Sequence, residues 1–477
     1  MGSEPENSSG PAAEALSPAD ATLLCATTPQ MQLQIGGLCR FEAGPLRDDE
    51  GRLRHDDLRA HVASRLHLVP RFRQRIQRVP FDLSRPVWVD DDGFDLERHL
   101  QTVVLPAPGG PRELREFVAG LLSKPLNFDH PLWDMWLVDG LGGTGGDEVA
   151  LVLRVHHVMA DGLSLLREAM ALLDFEPEPR SEPAPGPWQP VPAPGPLGLA
   201  ASGQFERRRQ QLSIAVDTTR RLLNPRWALD GIRSAVSVAS APPRIAPGMP
   251  VTGPVGTRRD FLFASVPFDP LLDLSRSRGV TFNDVLLAAV TGALRRLLGP
   301  EESAALVDHT PRVLVPVGDT SGAESGNLFS FVVADLPVHL EDPVDVLDHV
   351  HVDMDERKSS QQSSDMLSLF SVIDVLPVPL LRRVIPEVLA RQPFVNLAVT
   401  NIPGSPVPLY LLGSRMLELQ PIVCGVGNIA CIVGVLSYCG RLGIGVTVDP
   451  DVVPDPDALR DALLHAVDDL TREVGGT

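Results

Sequence analysis

The sequence predicts an α/β chain, mixed α+β, built as two halves joined by a proline-rich crossover. Three observations lead there. The chain has 477 residues, beyond the ~250–300 at which single hydrophobic cores stop growing. Nine prolines fall between Pro177 and Pro196, a composition that stays extended and semi-rigid rather than packing. On either side of them, apolar runs of strand period are mixed with runs of helix period.

Taken in order, residues 1–15 are expected to be disordered and residues 16–174 to form the first half. Within it, Val149 to Val155 reads as a buried strand and Leu163 to Leu173 as a helix. The crossover spans 175–256. It holds an arginine-rich, helical-looking segment from about Gln204 to Ala241, followed by Pro242, Pro243, Pro247, Pro250 and Pro254. The second half covers 257–477. There Thr281, with Asp284 three residues on, makes a capping-box start for a helix to Leu298 that stops at Gly299-Pro300. Asp455 caps a last helix and Pro456 takes its first position, and Leu459, Leu463, Val467, Leu470 and Val474 recur at spacings of four and three.

Charge and cysteine content narrow the function. Lys and Arg number 42 against 61 Asp and Glu, a formal net charge of −19, which argues against nucleic acid and its basic footprint. The five cysteines include no C-x-x-C pair, so neither a disulfide framework nor a zinc ribbon is indicated, and a cytoplasmic setting fits best. The opening twenty residues lack the basic and apolar regions of a signal peptide. Pro421 to Gly440 is twenty residues without a charge, yet its glycines and β-branched residues, and its continuation into Arg441 to Asp449, which alternates like a strand, read as a buried hairpin rather than a spanning helix.

The most informative segment is Arg154-Val-His156-His157-Val-Met-Ala-Asp161-Gly162. It lies at a strand end before a helix, where open sheets commonly place functional groups. Successive strand residues point to opposite faces, so His156 and His157 diverge. That weakens a metal site, and no other cluster with ligand spacing accompanies the pair. A bland reading also stands: one histidine satisfied in the core, and Asp161 capping the helix that begins at Gly162.

His-His-x-x-x-Asp-Gly resembles the motif of the coenzyme A-dependent acyltransferase superfamily. That superfamily includes chloramphenicol acetyltransferase, plant BAHD-type enzymes, peptide-synthetase condensation domains and bacterial wax ester synthase/diacylglycerol acyltransferases. Other segments single out the last of these. Pro131-Leu132-Trp133 is similar to its PLW segment, and Asn283-Asp284 to its Asn-Asp motif. Gly326-Asn327, Leu336-Pro337 and Asp342-Pro343-Val344 are similar to its next stretch. Asn401-Ile-Pro403-Gly404 and Leu436-Ser437-Tyr438 are similar to its late motifs, and Leu16-Ser17-Pro18-Ala19-Asp20 to its opening. The resemblance runs from about residue 16 to the C-terminus. It implies two chloramphenicol-acetyltransferase-like halves with the active site at their interface.

It also implies acyl transfer from acyl-CoA, as co-substrate and with no bound cofactor, to diacylglycerol or a long-chain alcohol. An alcohol must lose a proton as the ester forms, and a histidine of pKa ~6.5 can accept it. The resemblance gives that role to His157, with Asp161 structural. The alternation of strand residues agrees that one histidine faces the reacting centre. Gly162 would allow a tight turn. Asn283 and Asp284 are also explained as first-turn polar residues, and Trp133 as strand core. Two alternatives stay open: a condensation-type enzyme using a carrier protein, and a weakly active or non-catalytic lipid-binding paralogue.

Lipid acceptors imply peripheral contact with the inner face of the plasma membrane or with lipid inclusions. Oligomeric state is not indicated. Both acyl-CoA and an anionic bilayer would be repelled by an evenly acidic protein. A local basic entrance is therefore expected, including some of Arg71 to Arg78 or Arg295 to Arg296.

Overall fold

The computed structural model describes residues 13–143, 145–178, 186, 188–200, 244–317, 330–359 and 378–474. Gln204 to Ala241 and Gly326-Asn327 lie outside the described residues. The first half supplies β1 (Glu14–Ala15), α1 (Pro18–Ala26), β2 (Gln34–Glu42), α2 (His55–Arg65), β3 (Gln74–Gln77), β4 (Val87–Asp90) and β5 (Leu100–Val104). It continues with α3 (Pro111–Leu122), β6 (Trp133–Leu141), β7 (Glu148–His156) and α4 (Gly162–Ala171). The second half supplies β8 (Asp260–Pro267), α5 (Asp269–Arg278), α6 (Phe282–Ala305), β9 (Arg312–Val317), β10 (Ser330–Asp335), α7 (Pro343–Ser359) and α8 (Val378–Ala390). It ends with β11 (Leu397–Ile402), β12 (Tyr410–Leu411), β13 (Ser414–Ile422), β14 (Cys431–Tyr438), β15 (Arg441–Val448) and α9 (Pro456–Val474).

Two six-stranded sheets, in the orders β12-β13-β2-β7-β6-β5 and β10-β9-β11-β14-β15-β8, organise these elements, and β1-β4-β3 form a small third sheet. The expected helix signals are present. Thr281 and Asp284 cap α6 reciprocally, and at Gly299 the backbone leaves the helical region with φ 78° before a last turn to Ala305. Asp455 accepts from the Ala458 N–H at 3.0 Å, and Leu459, Leu463, Val467 and Leu470 of α9 are buried.

The expected buried hairpin is present as Cys431–Tyr438 with Arg441–Val448 in the second sheet, while Pro421 and Ile422, which open the uncharged stretch, end β13 in the first. Two expectations need correction. Glu14 and Ala15, placed in a disordered N-terminus, pair with Trp88 and Val87. The segment 257–477 is not wholly the second sheet's, because β12 and β13 cross over and β13 pairs with β2.

Glycines make the crossing possible. A Cβ on Gly443 would sit 1.9 Å from the Leu419 carbonyl oxygen, and one on Gly445 would sit 1.9 Å from that of Pro421. Their two-residue spacing puts both on one face of β15, so the backbone of β13 lies directly against it. Polar contacts reinforce the seam: Arg115 of α3 bonds Asp260 at 2.6 and 2.8 Å and Asp457 at 2.7 Å.

Candidate active site

β7 ends at His156, and both histidines of the motif are held by their backbones. The His156 N–H donates to the Leu132 carbonyl at 2.9 Å, and the His157 N–H donates to that of Leu33 at 2.8 Å. Leu33 holds its carbonyl there with φ 48°, a left-handed conformation that costs a non-glycine residue ~1–3 kcal/mol and tends to persist at functional sites.

The two rings differ in environment. His156 is 1% exposed. Its Nδ1 accepts from the Val158 N–H at 3.2 Å, and its Nε2 lies 3.1 Å from the Thr27 hydroxyl, which donates onward to the Leu23 carbonyl at 3.0 Å. Nδ1 as acceptor leaves Nε2 as donor, so this network suits the neutral ring. Burial, with a smaller contribution from His157, pushes the His156 pKa down to about 3. His157 retains partial exposure. Burial holds its imidazole below the usual histidine range, opposed by the carboxylates of Asp161 and Asp20. The opening motif is thereby brought to the histidines.

Asp161 caps α4, accepting from the Ser164 N–H at 2.7 Å. Gly162 is not required by a left-handed turn. Instead Ile402 comes so close that a Cβ there would meet Ile402 Cδ1 at 3.0 Å. Ile402 follows Asn401 on β11, so the histidine motif touches the late motif across the seam. Asn401 in turn donates to Asn283 Oδ1 at 2.9 Å. The late motifs also meet each other: Gly404 N–H donates to the Ser437 hydroxyl at 3.2 Å, and the Tyr438 hydroxyl accepts from Leu409 N–H and donates to the Met416 carbonyl.

Other candidates have contacts of their own. Asp284 is fully buried, with Oδ2 accepting from Thr281 N–H and from His351 Nδ1, each at 2.8 Å, while Oδ1 has no partner among the described residues. Trp133 is core: its indole N–H donates to the Phe72 carbonyl at 2.8 Å, and its ring stacks on His99. After Pro131, Leu132 therefore serves the site through its backbone carbonyl.

The expected basic entrance is not formed by the named arginines, because all but Arg73 pair with a carboxylate and Arg73 packs over an aromatic ring. Arg71 pairs with Glu14 and lies over Trp88, and Arg73 lies over Trp188. Arg75 pairs with Asp91, Arg78 with Asp82, Arg295 with Glu341 and Arg296 with Asp469.

Several contributors escape sequence reasoning. Buried Arg154 forms a two-armed ion pair with Asp134, and it also bonds Gln34 Oε1 at 3.1 Å and the Lys124 carbonyl at 2.8 Å. Its signal is visible, as the one charge in the apolar run Val149 to Val155. Thr27, the Leu33 carbonyl and His351 carried none. On α4, burial pushes the Glu168 carboxyl up to about 7, opposed by Arg71 and reinforced by Asp161.

The two sheets meet beside the strand-end histidine pair, and comparison with known proteins makes the chain an acyltransferase. The wax ester synthase/diacylglycerol acyltransferase catalytic domain is recognised over residues 16–286, and the WS/DGAT C-terminal domain over residues 325–471. The chain belongs to this family. It is 31% identical over 448 residues to a Mycobacterium tuberculosis protein named probable diacylglycerol O-acyltransferase tgs1, covering 92% of this chain and 91% of the relative. Its fold matches the wax ester synthase/diacylglycerol acyltransferase of Marinobacter aquaeolei VT8, with a TM-score of 0.65 at 23% identity over 97% of this chain and all of that one. It also matches the first condensation domain of the calcium-dependent antibiotic synthetase, with a TM-score of 0.59 at 17% identity over 98% and 97% of the two chains.

Proposed function

We propose that the protein transfers a long-chain acyl group from acyl-CoA to an alcohol, diacylglycerol first and long-chain alcohols second, with His157 as general base. The observation that carries this is the division of labour within the pair. Both ring nitrogens of His156 are engaged and its ring is locked neutral, whereas His157 keeps solvent access beside the seam. His157 takes the hydroxyl proton as the alcohol oxygen attacks the thioester carbonyl. The carbon–sulfur bond then breaks, and the departing thiolate receives that proton. No acyl-enzyme and no bound cofactor are needed, because the acyl-CoA is a co-substrate.

A depressed pKa suits the base, since the ring is neutral at pH 7 without a partner stripping its proton. Acceptors of this kind reside in lipid, so the protein works peripherally on a membrane or lipid inclusion. Among the described residues no helix is long and apolar enough to cross a membrane. The test is ester formation from labelled acyl-CoA and diacylglycerol by wild type and by His157→Ala, with a carrier-bound acyl donor and an amine as the competing pair. Ester from the first pair and nothing from the second supports the proposal, and the reverse favours a condensation-type enzyme.

A further inference from the structure

The helix α8 has an apolar stripe on its outer side as well as its inner one. Leu380, Val384 and Val388, spaced four apart, are 44%, 41% and 60% exposed, whereas Val378, Leu381 and Ile385 on the adjoining stripe are buried. The helix carries Arg382 and Arg383 and is followed by Arg391, against one acidic residue, Glu387. This is a local positive excess in a chain of net charge −19. Arg391 pairs with Glu387 and Arg382 reaches Asp82 at 3.4 Å. Exposed Arg383 has no salt-bridge partner among the described residues.

We propose that this face, the α8 stripe with Arg383 at its edge, is where the protein docks on an anionic phospholipid membrane. The proposal rests on the acyl-transfer reading above and adds the surface that reading leaves unassigned. The aliphatic side chains enter the boundary below the headgroups while Arg383 meets the anionic headgroups. A protein so acidic overall needs such a local exception, since its net field opposes the bilayer's.

A second copy of the chain is a poorer occupant. Three side chains fall well short of the ~800 Å² per partner that stable association needs, and two chains of like charge repel. The inner side of α8 gives the surface a use. Leu381 and Ile385 pack in one cluster with Cys25, Ala26 and Leu33, and the Leu33 carbonyl holds the His157 N–H. A membrane on the outer side therefore lies within about one helix diameter, ~10 Å, of that cluster. An acceptor too insoluble for water has only that far to travel.

Vesicle co-sedimentation of the full chain tests this. Wild type should bind phosphatidylcholine vesicles containing phosphatidylglycerol better than phosphatidylcholine alone, and less so in high salt. Val384→Asp with Val388→Asp should lower binding by at least about tenfold, and Arg383→Glu should remove the preference for phosphatidylglycerol. Unchanged thermal midpoints would show that each variant folds, and turnover of a short-chain thioester with a water-soluble alcohol should stay at the wild-type level. The proposal is overturned if the variants bind as wild type does, or if wild type binds neither vesicle. It is overturned too if wild type elutes as a dimer that the double variant converts to monomer. Binding is read without turnover, so stripe-dependent binding by a protein that transfers no acyl group would sink the acyl-transfer reading and leave the docking surface standing.

Discussion

Asn401 donates through Nδ2 to Oδ1 of Asn283 across 2.9 Å, joining the penultimate residue of β11 to the first turn of α6. The bond links two motifs more than a hundred positions apart, and the residue after Asn401 touches Gly162. A displacement at α6 thus has a short path to the histidine loop.

The asparagine pair should act as a unit. Asn283→Ala and Asn401→Ala should each cost ~1 kcal/mol, and the double variant should cost less than their sum by ~0.5 kcal/mol or more. Denaturant midpoints measure this, and turnover should fall in parallel for all three variants. Strict additivity would mean that the bond is not formed in solution.

His351 should stabilise the buried carboxylate of Asp284 that it meets at 2.8 Å. His351→Leu removes the donor and leaves a fully buried acceptor undersatisfied, a cost of ~1–3 kcal/mol. His351→Gln, which keeps a donor, should recover most of the loss in chemical denaturation. Equal losses for both variants would place the effect in packing instead.

Gly162→Ala should melt close to wild type, because up to ~1 kcal/mol of helix propensity offsets the displacement of a flexible Ile402 side-chain tip. Gly162→Leu has no such escape. It should keep the fold but cut turnover severely by pushing Ile402 and its neighbour Asn401 outward, and adding Ile402→Ala should restore part of the activity. Failure of that rescue would remove the contact from the account.

His156 should make stability depend on pH in one direction. Its folded pKa of about 3 lies below the ordinary 6.5, so the unfolded chain binds the extra proton between those values. The neutral ring's contribution is complete above about pH 6.5 and is lost as pH falls toward 3. By pH 5 that loss is about 2 kcal/mol. Comparing denaturation midpoints at pH 7 and pH 5 for wild type and His156→Gln isolates the contribution, and an identical slope in both proteins would contradict it.

Much of the architecture is legible because local physics determines it. The caps of α6 and α9 and the buried strand β7 follow from neighbours in sequence, and the motif order points to the seam. The exchange of β13 into the first sheet is not legible, since alternation says which faces a strand buries but not which sheet receives it. Gly443 and Gly445 read only as part of an alternating strand, and nothing local names Leu419 and Pro421 as the residues that approach them. The arginines at 71–78 were misread for a similar reason: their partners Glu14, Asp91 and Trp188 are near only in the fold. Thr27 and Leu33, which hold the histidines, look like ordinary loop residues in one dimension.

The central claim is that His157, and not its buried neighbour, moves the proton. Acyl transfer from labelled acyl-CoA to diacylglycerol, followed for wild type, His157→Ala and His156→Gln at matched folded fractions, tests it most directly. The account predicts a loss of ~10²–10⁴-fold for His157→Ala, with folding intact, and a smaller loss for His156→Gln that tracks its stability. Undiminished ester formation by His157→Ala would contradict it.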